Sequence, residues 1–442
     1  MKGKVTMISF LELTLELSRA SDMVSPELNN HHRLVAYITY NLGEELNLNE
    51  KQQNHLSVAA ILHDIGGLSM QERLDVLKFD ALNPHKHAKI GWMLLKDYKE
   101  FSEEAKIIKF HHVDWDNGNG LKKDGEDVPL ESHLIHLADR IATLISKDDK
   151  PFNQAERIYS RIEEASGKRF NPEFVKAFER LKKKEYFWFD LESISCSSNY
   201  YKKLSFNDQL IDIDALIGIG KLFARVIDFR SNFTAVHSEG VAAVARLLAQ
   251  LSNCDEMTCK KILAAGYVHD IGKLSVPTEI LEKPGKLTED EFAVVKGHSY
   301  QTYVLLDHVK GLEEINIYAS MHHERLDGTG YPFKLKGEDL PLGSRIMAVA
   351  DIFTALTENR PYRKGMQKEA VIEILEEMAD DNKIDKKIVA ILIDHYQEVT
   401  RTRIKKQTKA RKRYKDFELA LEEDDQMDDQ MEIQRGKTHG IN

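Results

Sequence analysis

Three cysteines in 442 residues, Cys196, Cys254 and Cys259, are too few and too scattered for a disulfide framework or a thiolate zinc site. Any metal in this chain must be held by imidazole and carboxylate. Also lacking is a run of about 18 apolar residues, so no membrane-spanning helix is expected. The first residues, where Glu12 and Glu16 interrupt the apolar ones, do not form a secretory leader, and a cytoplasmic protein is expected. Positive charge is not in surplus. The formal net charge of -10 gives no global attraction to DNA or RNA, so neither is expected as the primary partner, and a phosphorylated ligand would need a local cationic site. Sustained two-residue alternation is missing too, which argues against a sheet protein.

Helical periodicity is what the chain has instead. Apolar residues recur every three or four positions in "HSEGVAAVARLLAQL", "EFAVVKGHSYQTYVLLDHV" and "RIMAVADIFTALT", and Thr288 with Glu291 forms a capping-box signature at the start of the second stretch. The fold class expected is all-α. The length exceeds one average domain, and the segment from Lys182 to Tyr201 loses the helical period while gathering serines and aromatics. A junction is placed there, with its aromatics expected to pack between domains. The resulting division is residues 1–190, a linker at 191–207, a second domain at 208–400 and a charged tail at 401–442.

Self-comparison of the chain shows what the two domains share. "HDIG" occurs at His63 and again at His269, and 32 residues before each stand His31 and His237. His87 and His298 each precede a Leu-Leu pair by seven residues, and 24 residues beyond each is a histidine pair, His111-His112 and His322-His323. Asp139 and Asp351 follow. Ten of 18 histidines thus fall on two superimposable templates, which scattered core histidines would not do. Five imidazoles and two carboxylates on helices can hold two divalent metals inside a bundle. Neighbouring helical residues splay by about 100°, so His269 can bind one ion while the Asp270 carboxylate reaches between two. With ions roughly 3.5 to 4 Å apart, a shared water becomes hydroxide near neutral pH and both ions steady a phosphorus centre under attack. The donor set suits iron, manganese, zinc or cobalt without choosing among them.

The His…His-Asp…His…His-His…Asp pattern resembles the HD phosphohydrolase superfamily. "HDIGK", "HHERLDGTGYP" and "ADIFTALTENRPYR" resemble its HD-GYP subfamily of cyclic di-GMP phosphodiesterases, so tandem HD-type bundles, each around an internal metal site, are expected. The resemblance implies a bacterial cyclic dinucleotide substrate, cyclic di-GMP opened to linear pGpG or cut to GMP, and iron or manganese as the metal pair. Carried over, the metal ligands are His237, His269, Asp270, His298, His322, His323 and Asp351. Asp270 and Lys273 would be catalytic, the lysine neutralising charge that builds on the phosphate. Gly328, Gly330 and Tyr331, beside Pro332, would shape the substrate rim, and Arg360 and Arg363 would contact phosphate. This chain departs from the pattern at Phe233, where some relatives have a glutamate associated with a third metal, and at Ser231, where an aspartate is commoner. A two-metal site is therefore expected.

The first half keeps His31, His63, Asp64, His87, His111, His112 and Asp139 as a second candidate metal set. It has Gly67 in place of the lysine, no Tyr-Pro after its histidine pair and no "RPYR". Three readings compete: a second phosphohydrolase, a metal-bound regulatory module, or a scaffold for a homodimer or signalling partner, with regulation or scaffolding favoured. The tail carries nine Lys and Arg between Arg401 and Lys415 and nine Asp and Glu between Asp416 and Glu432. Such a polyampholyte is expected to be a solvated helix or disordered, with self-association favoured over nucleic acid. For the whole chain, the alternatives to a cyclic di-GMP phosphodiesterase are a 3',3'-cyclic GMP-AMP phosphodiesterase and, in another class, a weakly active cyclic dinucleotide receptor signalling through the N-terminal domain.

Overall fold

A computed structural model describes residues 7–23, 30–67, 85–146, 148–192, 209–229, 236–281, 283, 285–359 and 364–438. Cys196, Ser231, Phe233, Arg360 and Arg363 lie outside the described residues. Strand is confined there to two-residue pieces: β1 (Ile8–Ser9), the hairpin of β2 (Lys122–Lys123) and β3 (Glu126–Asp127), and β4 (Leu210–Ile211), which pairs antiparallel with β1. The rest is helix and loop. No helix among the described residues is long and apolar enough to cross a membrane.

The first half contains α1 (Phe10–Asp22), α2 (His31–Glu45), α3 (Glu50–Leu62), α4 (His85–Leu95), α5 (Ser102–Lys109), α6 (Leu130–Leu144), α7 (Ala155–Glu163), α8 (Pro172–Leu181) and α9 (Glu185–Glu192). The second contains α10 (Ile213–Phe229), α11 (His237–Leu251), α12 (Glu256–Val268), α13 (Thr278–Leu281), α14 (Glu289–Asp307), α15 (Glu313–Ser320), α16 (Leu342–Thr357), α17 (Lys368–Asp380), α18 (Lys386–Asp394) and α19 (Tyr396–Thr438). Their starts follow from side chains that satisfy the unpaired first-turn amides. Asn49 with Gln52 and Thr288 with Glu291 form reciprocal capping boxes on α3 and α14, and Asp255 caps α12 by accepting from Thr258 N.

Duplication shows in the packing. α2 lies against α3 and α6 just as α11 lies against α12 and α16, while α4 packs on α5 as α14 packs on α15. The central helices are buried on most of their circumference: Val35, Ala36, Ile38 and Leu42 are fully buried on α2, and Val241, Ala242, Val244 and Leu248 on α11. Such helices gain stability only inside a bundle. One continuous apolar core runs through both halves. α1 touches α3 of the first half and α14 of the second, and its Glu12 accepts a hydrogen bond from Lys310 N at 2.9 Å.

Two expectations need correction. Of the aromatics after Lys182, Phe187 and Trp188 pack within the first bundle, not between domains, while Tyr200 and Tyr201 lie outside the described residues. Phe187 stacks on Tyr37 with centroids 5.7 Å apart, and Trp188 meets Phe178 and donates Nε1–H to Lys182 O at 2.9 Å. Phe187, Trp188 and Leu191 are spaced to bury one side of the short helix α9, a signal too brief to register as periodicity. The tail is helical through Thr438, as one of the two readings had it, but its first turns are not wholly solvated. α19 begins before Arg401 and buries Arg403, Gln407, Ala410 and Phe417, a stripe at helical spacing facing α11. Arg413 pairs with Glu239 of α11. One face of the helix that carries the basic block therefore docks on its own domain, partly through long side chains that hydropathy counts as polar, while Lys405, Lys406, Lys409, Arg411 and Lys412 stay exposed.

Candidate metal centre

α12 ends at Val268 with His269 as its C-cap, and the chain turns through Asp270 into a short 3-10 segment, Ile271–Ser275. Asp270 is thus just outside the helix, a correction to the expectation of a splayed helical pair, and the turn lets one carboxylate face two ways. Its Oδ2 lies 3.2 Å from His269 Nε2 and 2.6 Å from Lys273 Nζ. Oδ1 lies 3.4 Å from His298 Nε2 and 4.0 Å from His322 Nε2. His237, at the start of α11, reaches Asp351 Oδ1 on α16 at 3.0 Å, and that oxygen is 4.0 Å from His269 Nε2. Donor atoms form two groups, His237, His269 and Asp270 on one side and His298, His322 and His323 on the other, each within 4.8 Å. All seven expected ligands are brought together.

Backbone carbonyls set which ring nitrogen points inward. Nδ1 of His269 faces Gly266 O at 2.9 Å, that of His298 faces Val295 O at 2.6 Å and that of His322 faces Ala319 O at 2.6 Å. Each Nε2 is then left for the interior. His298 and His322 Nε2 stand 3.5 Å apart, and His269 Nε2 and Asp270 Oδ1 are buried without a hydrogen bond. Converging buried lone pairs of this kind are costly unless something positive lies among them, so the donor set fits divalent metal. Burial pushes His298 down to about 3 and His323 down to about 4, which leaves neutral imidazoles. Burial alone would raise Asp270, but His269 and Lys273 hold it well below the carboxylate range. For His237 burial works downward and is outweighed by Glu358 and Asp351, which push it up to about 10.

The glycine loop leads away from this cluster. Gly328 has φ +79°, and a Cβ on Gly330 would lie 2.3 Å from Arg325 N, so side chains are excluded at both. Tyr331 sits over His323 with ring centroids 4.9 Å apart and donates its amide to His323 O at 3.2 Å. Sequence reasoning missed Glu324, buried beneath the loop, whose carboxylate accepts from the amides of Phe333 at 2.6 Å, Lys334 at 3.1 Å and Leu335 at 3.1 Å. Glu358 was missed as well. Both its oxygens lie 3.1 Å from His237 Nδ1, which orients that imidazole where His269, His298 and His322 use a carbonyl. Its position seven residues after Asp351 has no acidic counterpart in the first half, where Ser146 stands, so self-comparison could not find it.

The first cluster repeats the arrangement. Asp64 Oδ1 lies 3.0 Å from His87 Nε2 and 3.5 Å from His111 Nε2, and Oδ2 lies 3.3 Å from His63 Nε2. His31 Nε2 is 3.4 Å from Asp139 Oδ1, and His112 Nε2 is 3.0 Å from His87 Nε2. His31 Nε2, His63 Nε2, Asp64 Oδ1 and Asp139 Oδ1 are buried without a hydrogen bond, so this set fits metal too. Its edges differ. The fully buried Arg140 holds Asp139 Oδ2 at 2.5 Å and 3.1 Å through Nη2 and Nε. The loop after the histidine pair is tied down by backbone bonds from Trp115, Asp116 and Asn117 to the turn at 167–169. Phe170, from the end of that turn, packs against His136, which packs against His112.

Comparison with known proteins agrees with this duplicated geometry. A model of the HD domain matches residues 29–144, and a second HD domain model matches residues 221–388. The chain is 31% identical over 391 residues to the 3'3'-cGAMP-specific phosphodiesterase 1 of Vibrio cholerae, covering 86% of this chain and 90% of that protein. It is 41% identical over 154 residues to the cyclic di-GMP phosphodiesterase response regulator RpfG of Xanthomonas campestris, covering 34% of this chain and 41% of that one. The crystal structure of a cyclic GMP-AMP specific phosphodiesterase of V. cholerae, V-cGAP3, superimposes with a TM-score of 0.59 at 26% identity over 88% of this chain and 98% of that one. With two HD domains, a relative matched over most of both chains and the Gly-Tyr-Pro loop beside its second His/Asp cluster, the chain belongs to the HD-GYP family of HD-superfamily phosphodiesterases.

Proposed function

We propose that the chain hydrolyses a bacterial cyclic dinucleotide with chemistry confined to the second half. The observation that carries this is Asp270, whose two oxygens serve two groups of imidazoles while Lys273 lies 2.6 Å from one of them. His237, His269, Asp270, His298, His322, His323 and Asp351 would hold two divalent transition metals, iron or manganese by family likeness. Metals so placed supply an activated water at neutral pH and neutralise phosphoryl charge. The protein's own part is to keep His298, His322 and His323 neutral by burial, aim the Nε2 atoms of His269, His298 and His322 inward and offer a cation at the reacting phosphate through Lys273, which stands at the buried site's edge. Gly328, Gly330 and Tyr331 bound the substrate side next to His323, with Arg360 and Arg363 proposed as phosphate contacts.

Sequence reading put cyclic di-GMP first. The full-length match favours 3',3'-cyclic GMP-AMP instead, since the relative sharing both HD domains carries that specificity in its name, while the cyclic di-GMP relative matches over 34% of this chain. Cyclic di-GMP stays as the second reading because that shorter match is the more identical, 41% against 31%. Purified full-length protein loaded with manganese or iron(II), given each cyclic dinucleotide and followed by product chromatography, decides the order. Cyclic GMP-AMP is expected to be opened at least tenfold faster. Equal or faster turnover of cyclic di-GMP reverses the assignment, and binding without product would make the chain a receptor.

A further inference from the structure

The helix that carries the basic block, α19, reaches the candidate metal centre through two hydrogen bonds in series. Gln407 is buried on α19 and its Nε2 lies 3.3 Å from Glu358 Oε2 and 3.3 Å from Val236 O. Glu358 in turn places both oxygens 3.1 Å from His237 Nδ1, while His237 Nε2 faces Asp351. Arg403, one turn earlier and also buried, fixes the amide's orientation: its Nη1 donates to Gln407 Oε1 at 2.6 Å, and its Nη2 donates to Thr357 O, beside Glu358, at 3.2 Å. With Oε1 occupied by the guanidinium, the Gln407 NH2 is the group that must face Glu358. Close approach is built in, because Gly240 of α11 faces Gln407, and a Cβ there would meet its Nε2 at 2.6 Å. A second tie, Arg413 to Glu239, holds the helix to α11 six residues further on.

We infer that Gln407 and Arg403 are positioning residues for the hydrolytic centre, acting through Glu358 to orient His237 toward metal, so that the seating of α19 sets metal affinity in the second half. A metal-binding imidazole keeps its orientation by donating its other ring N–H to a carboxylate that is itself held, and loosening such a partner typically costs 10–100-fold in metal affinity or activity. His298, His269 and His322 are tethered by carbonyls of their own helices and need no such support. His237 stands at the first position of α11, where no preceding turn offers a carbonyl three residues back within the same helix, and the distant helix takes that role.

The inference rests on the reading of His237 as a metal ligand, so the test includes a variant for each. Metal-free full-length protein is dialysed against graded manganese, bound metal per chain is measured, and half-saturation by manganese and kcat at saturation are measured separately. Gln407→Leu keeps size and removes both donors. It is expected to raise the manganese concentration for half-maximal binding and turnover by about 10-fold or more, with kcat restored by excess manganese. Arg403→Met is expected to shift it in the same direction, and Lys412→Gln, on the exposed side of the same helix, to change neither value. Should Gln407→Leu lower the melting temperature but leave both manganese titrations as in the parent, α19 is a structural strut and the inference fails. If His237→Ala also binds and turns over as the parent does, the ligand assignment itself is what fails.

Discussion

Asp64 and Asp270 occupy the same place in the two halves, yet different groups face them. Asp270 shares its Oδ2 with a lysine ammonium 2.6 Å away, where the first half has Gly67 and no side chain at all. The second carboxylates diverge in the same way. Asp351 turns to His237, whereas Asp139 is clasped by Arg140, fully buried beside it. A loop bearing Tyr331 borders the second cluster; the corresponding loop in the first is bonded down onto the turn at 167–169. Both clusters thus retain donors for metal, but only the second has, among the described residues, a lysine on the carboxylate of its HD pair and a tyrosine against its histidine pair.

The comparison breaks most directly by removing the same group from each copy. His269→Ala and Asp270→Ala are expected to lower turnover of the preferred cyclic dinucleotide by 10³-fold or more, since ligand and bridging position are lost together. His63→Ala is expected to leave most of the activity, within about threefold. Steady-state kinetics with saturating metal, alongside circular dichroism to show folding, distinguishes the two. An equal loss from His63→Ala would mean that the halves work as one catalytic unit. Next in size is Lys273→Ala, for which about 10²–10³-fold in kcat is expected, with bound metal per chain unchanged. Were Lys273 only a partner for Asp270, metal content would fall and excess metal would restore the rate.

How much of this could be seen in the sequence depended on repetition. His31 and His237 were recognisable because each lies 32 residues before an HD pair, and His87 and His298 because each precedes a Leu-Leu pair by seven. The all-helical class followed from periodic stretches such as α11 and α16, whose buried faces are long enough to average over. Residues that act once left no such trace. Glu324 is a lone acid in a polar loop until its carboxylate is seen collecting three amides. Arg140 reads as a solvated helix arginine until Asp139 turns back to it. α19 was read as a solvated polyampholyte because its core-facing stripe uses Arg403 and Gln407, which a hydropathy pattern counts as polar. Asp270 left its helix because the chain turns at that residue, a change of backbone course that no spacing rule reports.

The smallest expected effect concerns Arg140, and it asks whether the first cluster is closed by its own arginine. At the matching position of the second half stands Ile352, next to Asp351, so Arg140→Ile gives the first site the neighbour that the second already has. Breaking a buried pair leaves an uncompensated carboxylate, which typically costs 3–5 kcal/mol. The metal-free variant should therefore melt well below the parent. Divalent metal can then replace the lost guanidinium, because Asp139 Oδ1 already faces His31 at 3.4 Å and Oδ2 is released. Adding manganese should raise the melting temperature of Arg140→Ile more than that of the parent, and binding at the first cluster should tighten by about tenfold, roughly 1.4 kcal/mol. Hydrolysis in the second half should stay within twofold. If manganese instead binds more weakly to Arg140→Ile, Arg140 supports the ligand geometry of Asp139, and the first half is a working metal site that differs from the second in its rim and not in its carboxylate.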